Sequence, residues 1–197
     1  IASQKSGRLH EDSVKLLKDS GIDIKNGGNK LKTEADNFPM EVYFLRDDDI
    51  PQYVEDEVAD VGIVGENVLY EKNKSVEIVE KLGFGKCRLS VAVSRNEKYE
   101  GVADLRDKKI ATSYPNIVGN YLAQNNVAAE IHEISGSVEI APGIGLAHAI
   151  VDLVSSGSTL MANGLKEVET ILRSEAVLVK NKNLSTRDAA LLDKLLF

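Results

Sequence analysis

Short apolar runs alternate along this chain with amphipathic segments of about ten residues. The runs at 60–65 and 149–154 are apolar almost throughout, which is typical of strands that are buried on both faces. Strands that alternate with helices in this way predict an α/β fold with a substantially parallel sheet. In such folds ligands bind at the carboxyl ends of the strands.

The coarse pattern gives the positions of most elements. Helices are predicted at 9–20, from about 51 onward, at 66–73, 116–124 and 185–197, and strands at 41–46, 60–65, 87–94, 109–112, 130–134, 149–154 and 175–180. In the second helix Asp49 is the predicted N-cap, and Tyr53, Val54 and Val58 are predicted to face inward. The last helix is predicted to have Ser185 as its cap, Asp188 in the capping-box position, and an apolar face made of Leu191, Leu192, Leu195 and Leu196. The loops that leave strand ends are 4–8, 46–49, 65–67 and 155–159.

Composition excludes several classes of protein. Of the 197 residues 24 are Lys or Arg and 31 are Asp or Glu, and the net charge of −7 argues against a broad nucleic-acid-binding face. No run reaches the roughly 18 apolar residues of a membrane span, and the first residues do not resemble a signal peptide. The single cysteine, Cys87, permits no intrachain disulfide and fits a cytoplasmic protein.

The segment around Asp152 carries the clearest chemistry. Asp152 lies in a predicted buried strand, directly before a turn of small residues around Gly157. Such a turn offers backbone N–H groups to a phosphate, and its hydroxyl groups add further donors: Ser155, Ser156, Ser158 and Thr159. The carboxylate is placed to accept hydrogen bonds from ribose hydroxyls. A serine-rich surface turn is the alternative, and this pattern taken alone favours it.

The whole of segment 139–160, EIAPGIGLAHAIVDLVSSGSTL, resembles the signature of the ATP phosphoribosyltransferase family. Further segments are similar to family motifs in the same order: KSGRL, RDDDIP, DVGIVGEN, GKCRL, IATSYP and GSVE. The resemblance covers nearly the whole chain. It implies the first step of histidine biosynthesis, in which N1 of ATP attacks C1 of phosphoribosyl pyrophosphate and displaces pyrophosphate.

The resemblance also implies an architecture. Family members have a two-lobed fold like that of type II periplasmic binding proteins, with a central cleft. The first lobe is expected to combine 1–88 with 172–197 and to carry the ATP side. The second is expected to span 89–171 and to carry the phosphoribosyl pyrophosphate loop.

The chemistry of the reaction guides the assignment of residues. Because N1 has a lone pair and no proton, the reaction needs positioning and electrostatic stabilisation and no strong base. Arg46 is the first candidate to stabilise the leaving pyrophosphate, followed by Lys5 and Arg8; a salt bridge to 47–49 is the alternative for Arg46. Phosphoribosyl pyrophosphate is expected to bind Glu139, Asp152 and the turn that contains Ser155, Ser156, Gly157, Ser158 and Thr159. A helix-terminus charge is the alternative for Glu139.

ATP is expected to contact Gly65, Glu66, Asn67, Arg88 and Tyr114. The alternatives are a helix start for the first three, cross-strand pairing for Arg88 and packing for Tyr114. Mg²⁺ is expected to arrive on the pyrophosphate, near Glu139 and Asp152, with no dedicated protein cage. No metal or nucleophilic role is predicted for the histidines or Cys87.

Two features depart from the family pattern. The family usually has Asp where this chain has His148. The change either weakens substrate binding, if that acid helps to order the ribose site, or is tolerated on a helix face, and we favour the second interpretation. The chain also stops at Phe197, where comparable members continue into a histidine-binding regulatory domain, so it is either a truncated core or a short member. The resemblance also implies a homo-oligomer, as a dimer or hexamer, with either a regulatory subunit or a missing C-terminal regulatory domain. The rival hypothesis is a ligand-binding module with this architecture and no chemistry, which would have no need of Arg46 or the 152–159 loop.

Overall fold

The computed structural model describes residues 1–24 and 31–193. The strands are β1 (Ala2–Gln4), β2 (Lys32–Glu34), β3 (Glu41–Leu45), β4 (Val61–Gly65), β5 (Glu77–Lys81), β6 (Cys87–Ser94), β7 (Lys109–Thr112), β8 (Glu130–Glu133), β9 (Ala149–Val154), β10 (Leu165–Ser174) and β11 (Ala176–Lys180). The α-helices are α1 (Arg8–Asp19), α2 (Ile50–Glu55), α3 (Glu66–Lys72), α4 (Pro115–Gln124), α5 (Ser158–Ala162) and α6 (Thr186–Leu192). Short 3₁₀ turns lie at Asp47–Asp49, Val102–Leu105 and Val138–Ile140. No helix in the described ranges has both the length and the apolar character that a membrane crossing requires.

The chain forms two compact units. The first contains Ile1–Gly85 and the segment from Glu175 onward, and the second is Lys86–Ser174. The sequence predicts the boundaries between the two lobes after residues 88 and 171. The assignment of one substrate to each lobe stays a prediction.

The sheet of the first unit has the order β2-β3-β1-β4-β11-β5. Its centre is parallel, because β1 pairs in parallel with both β3 and β4. Helix α1 covers one face, where Leu17 packs with Ile63. Helices α2 and α3 cover the other face, where Ile50 and Val68 pack with Val64. The chain thus passes from β1 to β3 on one side of β1 and returns to β4 on the other, so a topological switch point lies at the carboxyl ends of these strands.

The sheet of the second unit has the order β10-β6-β9-β7-β8. Strand β7 is parallel to β8 and β9, whereas β6 is antiparallel to β9 and β10 is antiparallel to β6. Helix α4 packs on one face through Val118 and Leu122. On the other face Leu160 of α5 and Val138 pack against Ile150 of β9. Both faces of β9 are therefore buried, as its apolar sequence predicts.

The predictions for α2 are only partly right. Val54 is fully buried, but Tyr53 is 36% exposed and Val58 is 56% exposed. The inward orientation of these two residues is wrong, because α2 ends at Glu55 and no further turn carries Val58 toward the core. Asp49 does occupy the N-cap position of α2, as predicted, but it ends a 3₁₀ turn in helical conformation and its side chain makes no capping hydrogen bond.

The predicted cap of the last helix is confirmed. The Ser185 hydroxyl accepts the N–H of Asp188 at 3.1 Å, and Leu192 is buried. The predicted apolar positions Leu195 and Leu196 lie outside the described residues.

Candidate functional site

Three loops predicted to bind substrate meet at the carboxyl edge of the first unit's sheet. Gln4 and Leu45 are partners at the ends of β1 and β3, and the Lys5 N–H donates to the Leu45 carbonyl at 2.9 Å. Lys5 and Arg46 therefore leave the sheet side by side. The segment that follows Gly65 leaves the same edge on the other side of β1. The loops lie at the switch point that the strand order creates.

Three cationic side chains lie at this edge, next to the acidic turn Asp47–Asp49. Lys5, Arg8 and Arg46 are all exposed. Within the described residues neither Lys5 nor Arg46 forms an ion pair, and the neighbouring Asp48 pairs with Lys72 at 3.3 Å. Helix α1 starts here with no side-chain cap, because its N-cap is Gly7 at φ 85°. The positive end of the helix dipole adds to the attraction for an anion.

Asp47 is an unusual neighbour for these cations. Its Oδ1 is buried and has no hydrogen-bond partner. Burial, and secondarily the negative charge of Asp48, raises the pKa of the Asp47 carboxyl to about 7. A carboxylate at this position is held at a cost to folding, which is common at functional sites.

The segment after β4 owes much of its sequence to local packing. A Cβ at Gly65 would lie 2.4 Å from Oδ1 of Asn67, so any larger residue there would displace the Asn67 side chain. Glu66 is buried, and its carboxylate accepts from Lys81 at 2.9 Å. The Glu66 N–H donates to the carbonyl of Glu175 at 3.0 Å. These contacts fix the end of β4 and leave the Glu66 carboxylate already paired.

The turn after β9 in the second unit is open to solvent. Ser155, Ser156, Ser158 and Thr159 are exposed, and the hydroxyl oxygens of Ser156 and Ser158 lie 3.0 Å apart. Gly157 has φ 80°, a conformation that favours glycine. Within the described residues the amides of Ser156 and Gly157 donate to no backbone carbonyl. The turn thus has both the donors and the access that a phosphate requires.

Two carboxylates lie beside this turn. Asp152 shares a face of β9 with Ile150 and Val154, and its Oδ1 accepts the Leu153 N–H at 2.8 Å. Burial raises the pKa of Asp152, and the nearby charge of Glu139 raises it further. In the described part of the chain neither carboxylate forms an ion pair. Their oxygens remain available to hydroxyl groups or to a hydrated cation.

Arg88 and Tyr114 have well-defined partners within the second unit. The Arg88 guanidinium donates through Nε and Nη2 to the two carboxylate oxygens of Glu167, each at 2.5 Å. Its Nη1 donates to the Ser155 carbonyl at 3.0 Å. The Tyr114 N–H donates to Oγ1 of Thr112 at 2.9 Å, and its ring packs against the α4 side of the core.

The interpretation of position 148 as a helix face is wrong. His148 precedes β9, at the end of that strand opposite the serine turn. The Nδ1 atom of its ring accepts the backbone N–H of Lys109 at 3.0 Å, and the backbone N–H of His148 donates to the Lys109 carbonyl at 2.8 Å. The side chain thus supplies an acceptor that secures the start of β7, which an aspartate could also supply.

The comparisons with known proteins decide the family. The family model for HisG, ATP phosphoribosyltransferase, matches residues 46–197. An ATP phosphoribosyltransferase of Cytophaga hutchinsonii is 59% identical over 197 residues, which is all of this chain and 69% of that protein. The chain belongs to the ATP phosphoribosyltransferase family. It is therefore a glycosyltransferase of the first step of histidine biosynthesis, as the motifs predict.

Solved structures agree with this assignment. A chain of the ATP phosphoribosyl transferase (HisG:HisZ) complex from Thermotoga maritima superposes with a TM-score of 0.84 at 28% identity, covering 99% of this chain and 96% of that one. A histidine kinase sensor domain with similarity to periplasmic binding proteins gives 0.61 at 14% identity, covering 94% of this chain and 75% of that one. The second match shows the fold alone. The predicted resemblance to periplasmic binding proteins is thus confirmed for this ATP phosphoribosyltransferase.

The sequence analysis missed three notable residues of the transferase. Asp47 stands within the RDDDIP motif, but nothing in the motif shows that its carboxyl is buried. Glu167 and Ser90 bond to each other at 2.8 Å on neighbouring strands, 77 residues apart in the chain. Such a contact leaves no local pattern in a single sequence.

Proposed function

We propose that the turn after Asp152 binds the 5-phosphate of phosphoribosyl pyrophosphate, and that Arg46, Lys5 and Arg8 stabilise the departing pyrophosphate. The observation that carries the proposal is the exposed turn, whose Ser156 and Gly157 amides have no backbone acceptor in the described chain. The carboxylates of Asp152 and Glu139, which form no ion pair with the described residues, suit a polyhydroxylated sugar.

The reaction makes modest demands on acid–base chemistry. N1 of adenine attacks C1 of the ribose, the bond from C1 to the pyrophosphate oxygen breaks, and the electron pair leaves with the pyrophosphate. The barrier lies in bringing two highly charged anions together and in stabilising the charges that develop. The absence of a Ser-His or Cys-His pair among the proposed residues is consistent with this chemistry.

Asp152 and Glu139 are proposed to bind the sugar. Ribose hydroxyls donate strongly to carboxylates, and such bonds orient C1 for attack. An ionised pair beside the ring also favours positive charge at C1 in the transition state. The raised pKa of Asp152 comes from burial and from Glu139, and a bound sugar or cation would offset both effects.

Mg²⁺ is the proposed cofactor. No group of three or more His, Cys, Asp or Glu side chains within the described ranges could hold a metal by itself. Asp152 and Glu139 nevertheless fit a hydrated Mg²⁺ that is bound mainly by substrate oxygens, since they are hard oxygen ligands and form no ion pair with any residue that the structure describes. The ion would neutralise charge on the pyrophosphate.

Arg46 is proposed to contact the pyrophosphate most directly. It is exposed, free of ion pairs in the described structure, and next to Lys5 at the edge of the sheet. The planar guanidinium forms paired hydrogen bonds with phosphate oxygens, which a lysine does not. Lys5 and Arg8 add charge at the start of α1.

For ATP we propose contacts with Gly65, Asn67 and Tyr114. We leave Glu66 and Arg88 out of these contacts, because their charged groups are already bonded to Lys81 and Glu167. A non-catalytic ligand-binding module is not favoured, since the relatives with that role share only the fold.

Assembly and location complete the proposal. The Thermotoga maritima relative was solved as a complex of HisG with HisZ. We propose that this chain also works as a homo-oligomer with a regulatory subunit or domain, in the cytoplasm.

A direct test measures pyrophosphate release from ATP, phosphoribosyl pyrophosphate and Mg²⁺. The wild-type protein should release pyrophosphate only when both substrates are present. Asp152→Asn should weaken the binding of phosphoribosyl pyrophosphate in calorimetry, whereas Asp107→Asn, an isosteric change in an exposed loop of the same unit, should not. Equal affinities of Asp152→Asn and wild type would reject the sugar contact.

A further inference from the structure

An arginine-centred network spans three adjacent strands next to the serine turn. Glu167 lies on β10, Arg88 on β6, and Ser155 follows β9, in the order in which the strands lie in the sheet. Arg88 is opposite Val154, the last residue of β9, so its guanidinium reaches the first residue of the turn. Its Nη1 bonds to the Ser155 carbonyl while Nε and Nη2 bond to Glu167.

The bond to Ser155 has a consequence for the next amide. The peptide between Ser155 and Ser156 is trans, like every other peptide of the described chain. In a planar trans peptide the C=O and N–H groups point in opposite directions. When Arg88 holds the Ser155 carbonyl, the Ser156 N–H therefore points away from the guanidinium. Arg88 thus fixes the direction of a turn amide that, within the described residues, donates to no backbone carbonyl.

Glu167 in turn fixes Arg88. Both of its oxygens accept from the guanidinium, and Oε1 also accepts from the Ser90 hydroxyl at 2.8 Å. Ser90 is paired with Asp152 in the β6–β9 register, so the network adjoins the proposed sugar carboxylate. Because both carboxylate oxygens of Glu167 accept from the Arg88 guanidinium, the guanidinium has little freedom to rotate.

We infer that Arg88, held by Glu167, is a positioning residue that presents the Ser156 amide to the phosphate of phosphoribosyl pyrophosphate. This inference rests on the proposed function of the turn. It differs from the ATP contact that the sequence predicts for Arg88, because an arginine with three bonds inside its own unit acts on the substrate through the backbone.

The test compares binding of the two substrates to purified variants. Arg88→Lys keeps the charge but cannot bond to both Glu167 oxygens and the Ser155 carbonyl at once. It should weaken phosphoribosyl pyrophosphate binding by about ten- to a hundred-fold, the effect of one charge-assisted hydrogen bond, and leave ATP binding unchanged. Arg106→Lys is the matched control, since Arg106 also donates to a backbone carbonyl, that of Asn126 at 3.0 Å, in a loop away from the turn.

A charge exchange separates positioning from simple ion pairing. The double variant Arg88→Glu, Glu167→Arg restores an ion pair, but a carboxylate at 88 cannot donate to the Ser155 carbonyl. It should remain as weak as Arg88→Lys in binding phosphoribosyl pyrophosphate. Recovery of wild-type affinity would overturn the inference, because the ion pair alone would then suffice. Should this double variant not fold, Arg88→Lys decides, and wild-type affinity in that variant overturns the inference.

The control for the underlying function is Asp152→Asn in the same titrations. If Asp152→Asn loses affinity and Arg88→Lys does not, only the positioning role fails. If both bind phosphoribosyl pyrophosphate as the wild type does, the proposed function of the turn fails. Loss of ATP affinity in Arg88→Lys, with phosphoribosyl pyrophosphate unaffected, would return Arg88 to the ATP site.

Discussion

The buried carboxyl of Asp47 allows a quantitative prediction for the change Asp47→Asn. Asparagine has the same shape and cannot ionise, so it removes the cost of a buried charge. The pKa of Asp47 is raised from 3.8 to about 7, chiefly by burial. Because the folded state binds this proton more tightly than the unfolded state, the ionised carboxyl destabilises the protein as the pH rises from about 4 to about 7.

The size of the effect follows from the pKa. A shift of about three pKa units corresponds to roughly 4 kcal/mol, and we expect about 2–4 kcal/mol because the residue as a whole is partly exposed. Above about pH 7.5 Asp47→Asn should be more stable than the wild type by this amount, and near pH 4 the two should be equally stable.

The assay is urea unfolding of both proteins at a series of pH values, analysed as the difference in the free energy of unfolding. Other groups that titrate cancel in this difference. Asp49→Asn is the matched control, because it removes an exposed carboxyl from the same 3₁₀ turn. A difference for Asp47→Asn that does not grow between about pH 4 and 7.5, or that has the opposite sign, would refute the reasoning.

Three further predictions concern turnover, the family departure and packing. Arg46→Ala should lower kcat by roughly 10²–10³-fold and change the dissociation constant of ATP little, because the charge that it meets develops in the transition state. Steady-state kinetics and calorimetry check this, and equal losses in both would count against the role. His148→Asp should keep full activity, since either side chain accepts the Lys109 N–H; a large loss of turnover would contradict this. Gly62→Ala should destabilise the protein by about 1–3 kcal/mol in urea unfolding, because a Cβ would lie 2.8 Å from Cγ2 of Ile50 and 3.0 Å from Cγ2 of Val54. A Gly62→Ala variant as stable as the wild type would contradict this prediction, because α2 would then shift away from the sheet at no cost in stability.

The buried strands of the fold could be read from the sequence, and the exposed ones could not. The predicted strands at Cys87–Ser94, Lys109–Thr112 and Ala149–Val154 have the observed bounds, because their apolar runs reflect burial directly. The edge strand Glu77–Lys81 was missed because four of its five side chains are exposed and three of them are charged, so it has no apolar run.

Strand β10 was missed for a different reason. Its apolar residues Leu165, Val168 and Leu172 have the three- and four-residue spacing of a helix. In the structure two irregularities of the β6–β10 register, at 168 and 171, interrupt the alternation of its side chains. Bulges shift the face of every later residue, and the sequence gives no sign of where they occur.

In the candidate site, too, some features could be predicted from the sequence and others could not. The rule for strand ends directs attention to the loops with Lys5, Arg46 and Gly65, and the strand order does bring these three together. The contacts of Arg88 with Glu167 and with the Ser155 carbonyl join residues that are 67–79 positions apart, and no local sequence pattern contains them.

The measurement that tests the central claim most directly is the NMR titration of backbone amides with phosphoribosyl pyrophosphate in the absence of ATP. The account predicts that the amide protons of Ser156 and Gly157 move strongly downfield at saturation, as donors to a phosphate do. Saturable binding that leaves both of these resonances in place would contradict it.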